Sequence, residues 1–82
     1  MVRVAVKLPE LGKDASHEAT VSFFYPEVDD HVDKGDELVE MLTDKAAFNV
    51  PAPVSGKLVQ IVAHDNDVVK VGGTLAFIET AD

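Results

Sequence analysis

Few of the 82 residues carry side chains suited to chemistry: six lysines, three histidines, one tyrosine, scattered carboxylates and no cysteine. Lys45 stands apart by its position, in the run Met41-Leu42-Thr43-Asp44-Lys45-Ala46-Ala47-Phe48 between two halves of sequence that repeat each other. A lysine is ordinarily a solvated surface charge. A primary amine displayed at a turn between two repeats reads instead as an attachment point for a swinging prosthetic group. The catalytic and metal alternatives find little support. His17, His31 and His64 show no regular ligand spacing, and Asp65 and Asp67 beside His64 read as turn residues. Ser16, His17 and Glu18 are consecutive, whereas a catalytic triad needs convergence in space around a pocket. No glycine-rich phosphate loop is present. The sequence therefore nominates no catalytic residue and no metal ligand.

The repeat defines the elements that must position Lys45. Displacing the chain by thirty-seven residues lays Asp30 on Asp67, Val32 on Val69, Gly35 on Gly72, Leu38 on Leu75 and Thr43 on Thr80. Val21 with Leu58, Phe24 with Ile61, Asp29 with Asn66 and Met41 with Ile78 keep the same character. Such repetition predicts two similar units about a pseudo-twofold axis, neither able to bury its apolar face alone. The expected organisation is one domain, 1–82, with repeats at 18–45 and 55–82. The overlay breaks at Lys45, which falls opposite Asp82.

Val2 to Leu8 alternates with a β-branched bias and stops at Pro9, a first strand. Gly12 to His17 reads as a polar loop, and Glu18 to Tyr25 as a second strand ended by Pro26. Asp29-Asp30 and Asn66-Asp67 form one pair of equivalent turns, Gly35-Asp36 and Gly72-Gly73 another. Pro51-Ala52-Pro53 stiffens the link to a strand from Lys57 to Val62, opened by Gly56. Asp36 to Phe48 taken alone has helical spacing at Leu38, Met41 and Leu42 and good helix formers. Its twin, Gly73 to Thr80, is β-like, and two copies of one unit share a backbone. The prediction is a hairpin with arms Leu38 to Thr43 and Ala46 to Val50 and a two-residue tip, Asp44-Lys45, which lacks the glycine of the tightest hairpin turns. Leu38, Met41, Leu75, Phe77 and Ile78 are expected in the core.

Composition narrows the function. A chain of this size makes a thin core and leaves little room for a catalytic cleft. A net charge of −8 argues against nucleic acid or an anionic membrane as partner, and favours either basic docking surfaces or plain solubility. Without cysteine there is neither disulfide nor thiolate metal site, which fits a reducing compartment. No arginine-rich transit segment, apolar signal core or membrane-spanning stretch is present in the sequence.

The run Thr43-Asp44-Lys45-Ala46 resembles the lipoyl-lysine motif of lipoyl domains from the acyltransferase components of 2-oxo acid dehydrogenase complexes, within the biotinyl/lipoyl attachment family. Leu8-Pro9-Glu10-Leu11-Gly12 resembles that family's opening strand and turn, and Val50-Pro51-Ala52-Pro53-Val54-Ser55-Gly56 its middle connection. The resemblance runs from about Val2 to Glu79. Two departures stand out: Asp29 and Asn66 occupy turn positions where glycine is usual, and Leu42 stands where glutamate is frequent.

The resemblance implies an all-β fold, a flattened β-barrel or sandwich of two antiparallel sheets (a barrel-sandwich hybrid), with Lys45 at a hairpin tip and both termini at the other end. It implies lipoic acid held covalently on Lys45, as a swinging arm that shuttles acyl groups and reducing equivalents while the domain itself catalyses nothing. Asp44 and Ala46 read either as flanks that a modifying enzyme requires or as turn chemistry. Lys13, Asp14, Ser16 and His17 read either as a surface by which a decarboxylase selects its domain or as a solvated loop. The implied partners are a lipoate ligase or lipoyl transferase, a thiamine-dependent decarboxylase, the acyltransferase core and dihydrolipoamide dehydrogenase. A monomeric domain is expected, in a bacterial or archaeal cytoplasm or, if excised from a eukaryotic precursor, the mitochondrial matrix. A biotin carrier of the same fold is the nearest alternative, although those domains typically place Met on both sides of the lysine. An unmodified binding module is another, and a glycine-cleavage-type carrier would be longer, with extra helical elements.

Overall fold

Alternating apolar and polar residues, broken every few positions by Pro, Gly, Asp or Asn, leave segments too short for helices and suited to strands packed on one face. The computed structural model describes residues 2–10 and 17–80. Its elements are β1 (Val2–Lys7), β2 (Glu18–Phe24), β3 (His31–Val32), β4 (Glu37–Leu42), β5 (Ala47–Pro51), β6 (Gly56–Ile61), β7 (Val68–Lys70) and β8 (Thr74–Thr80). No helix occurs among the described residues, and Asp36 to Phe48 is the expected hairpin. The strands form two antiparallel four-stranded sheets, ordered β1-β8-β6-β3 and β5-β4-β2-β7. They stack as a sandwich and do not close into a barrel. The principal extents are 38 × 22 × 17 Å, a flattened body.

The interval of thirty-seven residues also relates the backbone of the two sheets. The Tyr25 N–H donates to the Leu38 carbonyl and the Val62 N–H to the Leu75 carbonyl. Asp29 N–H bonds Leu58 O in one half, and Asn66 N–H bonds Val21 O in the other. Register shifts fall between Val21 and Phe23 and between Leu58 and Gln60, at equivalent places. A second pair of irregularities leaves Leu38 and Leu75 without register partners across from β5 and β1. Each bulge turns two consecutive residues inward: Leu38 with Val39, and Leu75 with Ala76, all fully buried.

The core between the sheets also holds Val6, Leu8, Val21, Met41, Leu58 and Ile78, each at most 1% exposed. Phe77 is a correction to the expected core. It is only half-buried, because it lies between Ala76 and Ile78, whose side chains take the inner face of β8.

Four residues take positive φ, again as two pairs: Asp29 (82°) with Asn66 (73°), and Gly35 (93°) with Gly72 (86°). Asp and Asn tolerate this left-handed geometry better than other residues with a Cβ because they bond locally. Asn66→Ala is expected to cost about 1–2 kcal/mol, with Asn66→Gly close to the parent. Paired thermal unfolding curves check this.

Candidate functional site

Two inward-facing register pairs anchor the hairpin that carries Lys45. Val39 faces Val50 and Met41 faces Phe48. Val39, Val50 and Met41 are buried, and Phe48 packs half-buried against the same core. Beyond them Leu42, Asp44, Lys45, Ala46 and Ala47 are all exposed. The arms close one residue earlier than expected on each side, at Leu42 and Ala47, and residues 43–46 form the turn.

Thr43 holds that turn. Its N–H donates to the Ala46 carbonyl at 2.9 Å. Its hydroxyl donates to the same carbonyl at 3.2 Å and accepts from the N–H groups of Ala46 at 3.1 Å and Lys45 at 3.3 Å. Neither Asp44 nor Lys45 has positive φ, so the tip needs no glycine and is not the mirror-image turn of the tightest hairpins. Sequence reading missed this hydroxyl. The signal was a threonine at the first position of a four-residue turn, where Ser and Thr bond the backbone ahead of them. Thr43→Val is expected to lower stability by about 1 kcal/mol, the worth of the lost net hydrogen bonding, and Thr43→Ser to retain it. Thermal unfolding of the two variants separates these outcomes.

The equivalent place in the other sheet carries no such turn among the described residues. Thr80, the counterpart of Thr43, donates its hydroxyl to the Val2 carbonyl at 3.4 Å. Val2 and Thr80 there face each other across β1 and β8. One sheet thus joins its two strands through Asp44-Lys45, and the other bears the first and last described strands.

Glu18, Ala19 and Thr20 of β2 and Leu42, Thr43 and Asp44 line an open depression of about 430 Å³ beside the tip. His17 is exposed just before β2, where its carbonyl accepts from the Val71 N–H at 2.8 Å. Of the expected partner-selecting residues His17 alone can be placed; Lys13, Asp14 and Ser16 lie outside the described residues. The other histidines stand elsewhere, His31 against Asp33 at 3.0 Å and His64 on the rim of a second depression with Phe23, Val28 and Asp65. Among the described residues these histidines and the Lys45 turn therefore lie apart from one another.

A small two-sheet sandwich that holds one lysine out on a hairpin turn is the architecture of an attachment domain for a prosthetic group. The chain belongs to the biotinyl/lipoyl attachment family: the family profile described as biotin-requiring enzyme matches residues 4–78. It is 38% identical over 78 residues to the dihydrolipoyllysine-residue acetyltransferase component of the pyruvate dehydrogenase complex of Corynebacterium glutamicum, covering 95% of this chain and 11% of that protein. The chain thus spans about a tenth of that relative. The solution structure of the lipoyl domain of the 2-oxoglutarate dehydrogenase complex from Azotobacter vinelandii has the same fold, with a TM-score of 0.72 at 24% identity over 95% of this chain and 99% of that one. The urea carboxylase of Kluyveromyces lactis is as similar in shape, with a TM-score of 0.71 at 28% identity over 89% of this chain and 7% of that one. Fold alone does not separate lipoyl from biotin carriers.

Proposed function

We propose that this chain is a lipoyl carrier domain, with Lys45 as the attachment residue, serving a 2-oxo acid dehydrogenase complex. The observation that carries the reading is the Lys45 turn, projecting beyond the Met41–Phe48 anchor with its amine in solvent and Thr43, Asp44 and Ala46 around it. The turn fits the group: an arm joined there meets open solvent, and the backbone beneath it is held by Thr43. Lipoic acid in amide linkage supplies a dithiolane able to take up an acyl group and two electrons. The domain's own contribution is tethering, which substitutes an effective concentration of about millimolar for free diffusion. The domain performs no catalysis itself. Its partners in this reading are a lipoate ligase or transferase, the thiamine-dependent decarboxylase, the acyltransferase core and dihydrolipoamide dehydrogenase, in whichever cytoplasm or matrix houses the complex.

The biotin alternative draws on the carboxylase resemblance, and the flanks Asp44 and Ala46 weigh against it. Intact mass after incubation with lipoate ligase, lipoate and ATP, beside a parallel reaction with biotin ligase and biotin, separates the readings. One lipoyl increment supports the proposal. A biotin increment alone transfers the chain to the carboxylase class, and no increment in either reaction makes it an unmodified binding module.

A further inference from the structure

The outer face of the lysine-bearing sheet carries a row of side chains that crosses all four strands immediately behind the turn. Register places Ala47 beside Leu42, Leu42 beside Thr20 and Thr20 beside Val68. All four are apolar or carry a methyl group. Leu42 is 39% and Val68 58% exposed, although Met41 beside Leu42 and Ala19 and Val21 on either side of Thr20 are buried. The pseudo-twofold counterpart of this row is Arg3, Glu79, Lys57 and His31, joined in the same register on the other sheet. One fold has thus built the same outer row twice, once from polar groups suited to water and once from apolar ones. The geometry does not demand the apolar version, because the charged version is accommodated in the same molecule. The difference that accompanies it is Lys45, in the turn that joins Leu42 to Ala47.

We propose that this row, Leu42, Thr20 and Val68 with Ala47, is an intramolecular resting site for the lipoyl arm borne by Lys45. The inference rests on the carrier reading above and extends it. Amide formation removes the lysine's positive charge and leaves an uncharged, largely apolar chain fixed at the head of the row. Neighbouring strands are about 4.8 Å apart, so Leu42 to Val68 is a span of roughly 10 Å, which the lysine stem and lipoyl chain together cover. The depression lined by Glu18, Ala19, Thr20, Leu42 and Asp44 gives the arm a concave floor over the first half of that path. A partner protein arriving from solution is a weaker claimant: the arm is always present at the effective concentration of a short tether. Docking on exposed residues is shallow, which keeps the arm exchangeable.

The experiment compares methyl-resolved NMR spectra of the unmodified and the fully lipoylated chain, with modification verified by intact mass. The expected result is that lipoylation shifts the methyl resonances of Leu42, Thr20 and Val68, with nuclear Overhauser contacts from the arm to Thr20 and Val68. In a Leu42→Glu, Val68→His chain, which copies the residues of the twofold counterpart, the Thr20 shift falls severalfold while the mass increment is retained. Perturbations confined to residues 43–47, without contacts to Thr20 or Val68, would overturn the resting site and leave the carrier reading intact. Absence of any mass increment would remove the carrier reading, and this inference with it.

Discussion

A Lys45→Arg chain is expected to keep its original mass after treatment with lipoate ligase, lipoate and ATP, while the parent gains a single lipoyl increment. Arginine preserves the charge and most of the length but stays protonated in proteins, so it offers no nucleophilic nitrogen for the amide. The substitution is at an exposed position, where changes usually stay within about 0.5 kcal/mol, and loss of labelling cannot then be attributed to unfolding. The informative comparison is with Lys34, also exposed and also in a turn. Its N–H donates to Ser55 Oγ at 2.8 Å, and the adjacent Gly35 N–H donates to the Ala52 carbonyl. That turn is therefore laid against the β5–β6 connection, whereas the Lys45 turn is bonded within itself through Thr43 and extends past the core. Lys7, Lys57 and Lys70 lie on strands, where an enzyme that must enclose the amine meets a flat sheet. An increment that survives Lys45→Arg would move the attachment to another of the six lysines, Lys13 included, and refute the site assignment.

The helix-like spacing around Lys45 and its strand geometry have a common cause in the bulge at Leu38. Two consecutive inward residues, Leu38 and Val39, followed by buried Met41, break the strict alternation of a strand and imitate a helical stripe. The β-like twin at Gly73 to Thr80 resolved that conflict from sequence alone, since its bulge at Leu75 lies among β-formers. β3 and β7 were not legible, being two and three residues long, too short for alternation to register. Nor was Phe77 correctly placed, because a large aromatic on the outer face of a central strand looks like core until the register is known. At the site, the hairpin and its lysine could be read from the repeat and the flanks, while the three hydroxyl bonds of Thr43 and the cross-strand row from Ala47 to Val68 were not. The row depends on which residues meet across strands, which periodicity does not specify; the Thr43 bonds depend on the turn beginning at Thr43, one residue before the expected two-residue tip.

Gly56→Ala is expected to be among the most damaging single changes in the chain, and for a steric reason separate from backbone freedom. Gly56 opens β6 opposite Val32 of β3, and on its other side a Cβ would run into the backbone carbonyl oxygen of Glu79 and come within 2.9 Å of Ile78 Cγ2. Ile78 is fully buried and Glu79 belongs to a central strand, so no side-chain rotation clears the clash and the sheet itself has to shift. Overpacking of this kind costs about 3 kcal/mol, against roughly 4–12 kcal/mol of total stability for a chain of this length. A midpoint fall of roughly 10–25 °C follows at about 4–8 °C per kcal/mol, readable by circular dichroism. Gly35 supplies the contrast: nothing lies within 4 Å of its added Cβ, but its φ of +93° strains any side chain, for about 1–2 kcal/mol. The clash at Gly56 is in the sheet opposite the lysine, between β6 and β8, so the folded fraction of a Gly56→Ala chain at low temperature should still accept one lipoyl group at Lys45. Lost stability with retained modification would separate the residue that holds the sandwich together from the residue that the sandwich displays; an unchanged midpoint would mean that β8 yields to the added methyl more readily than its central position implies.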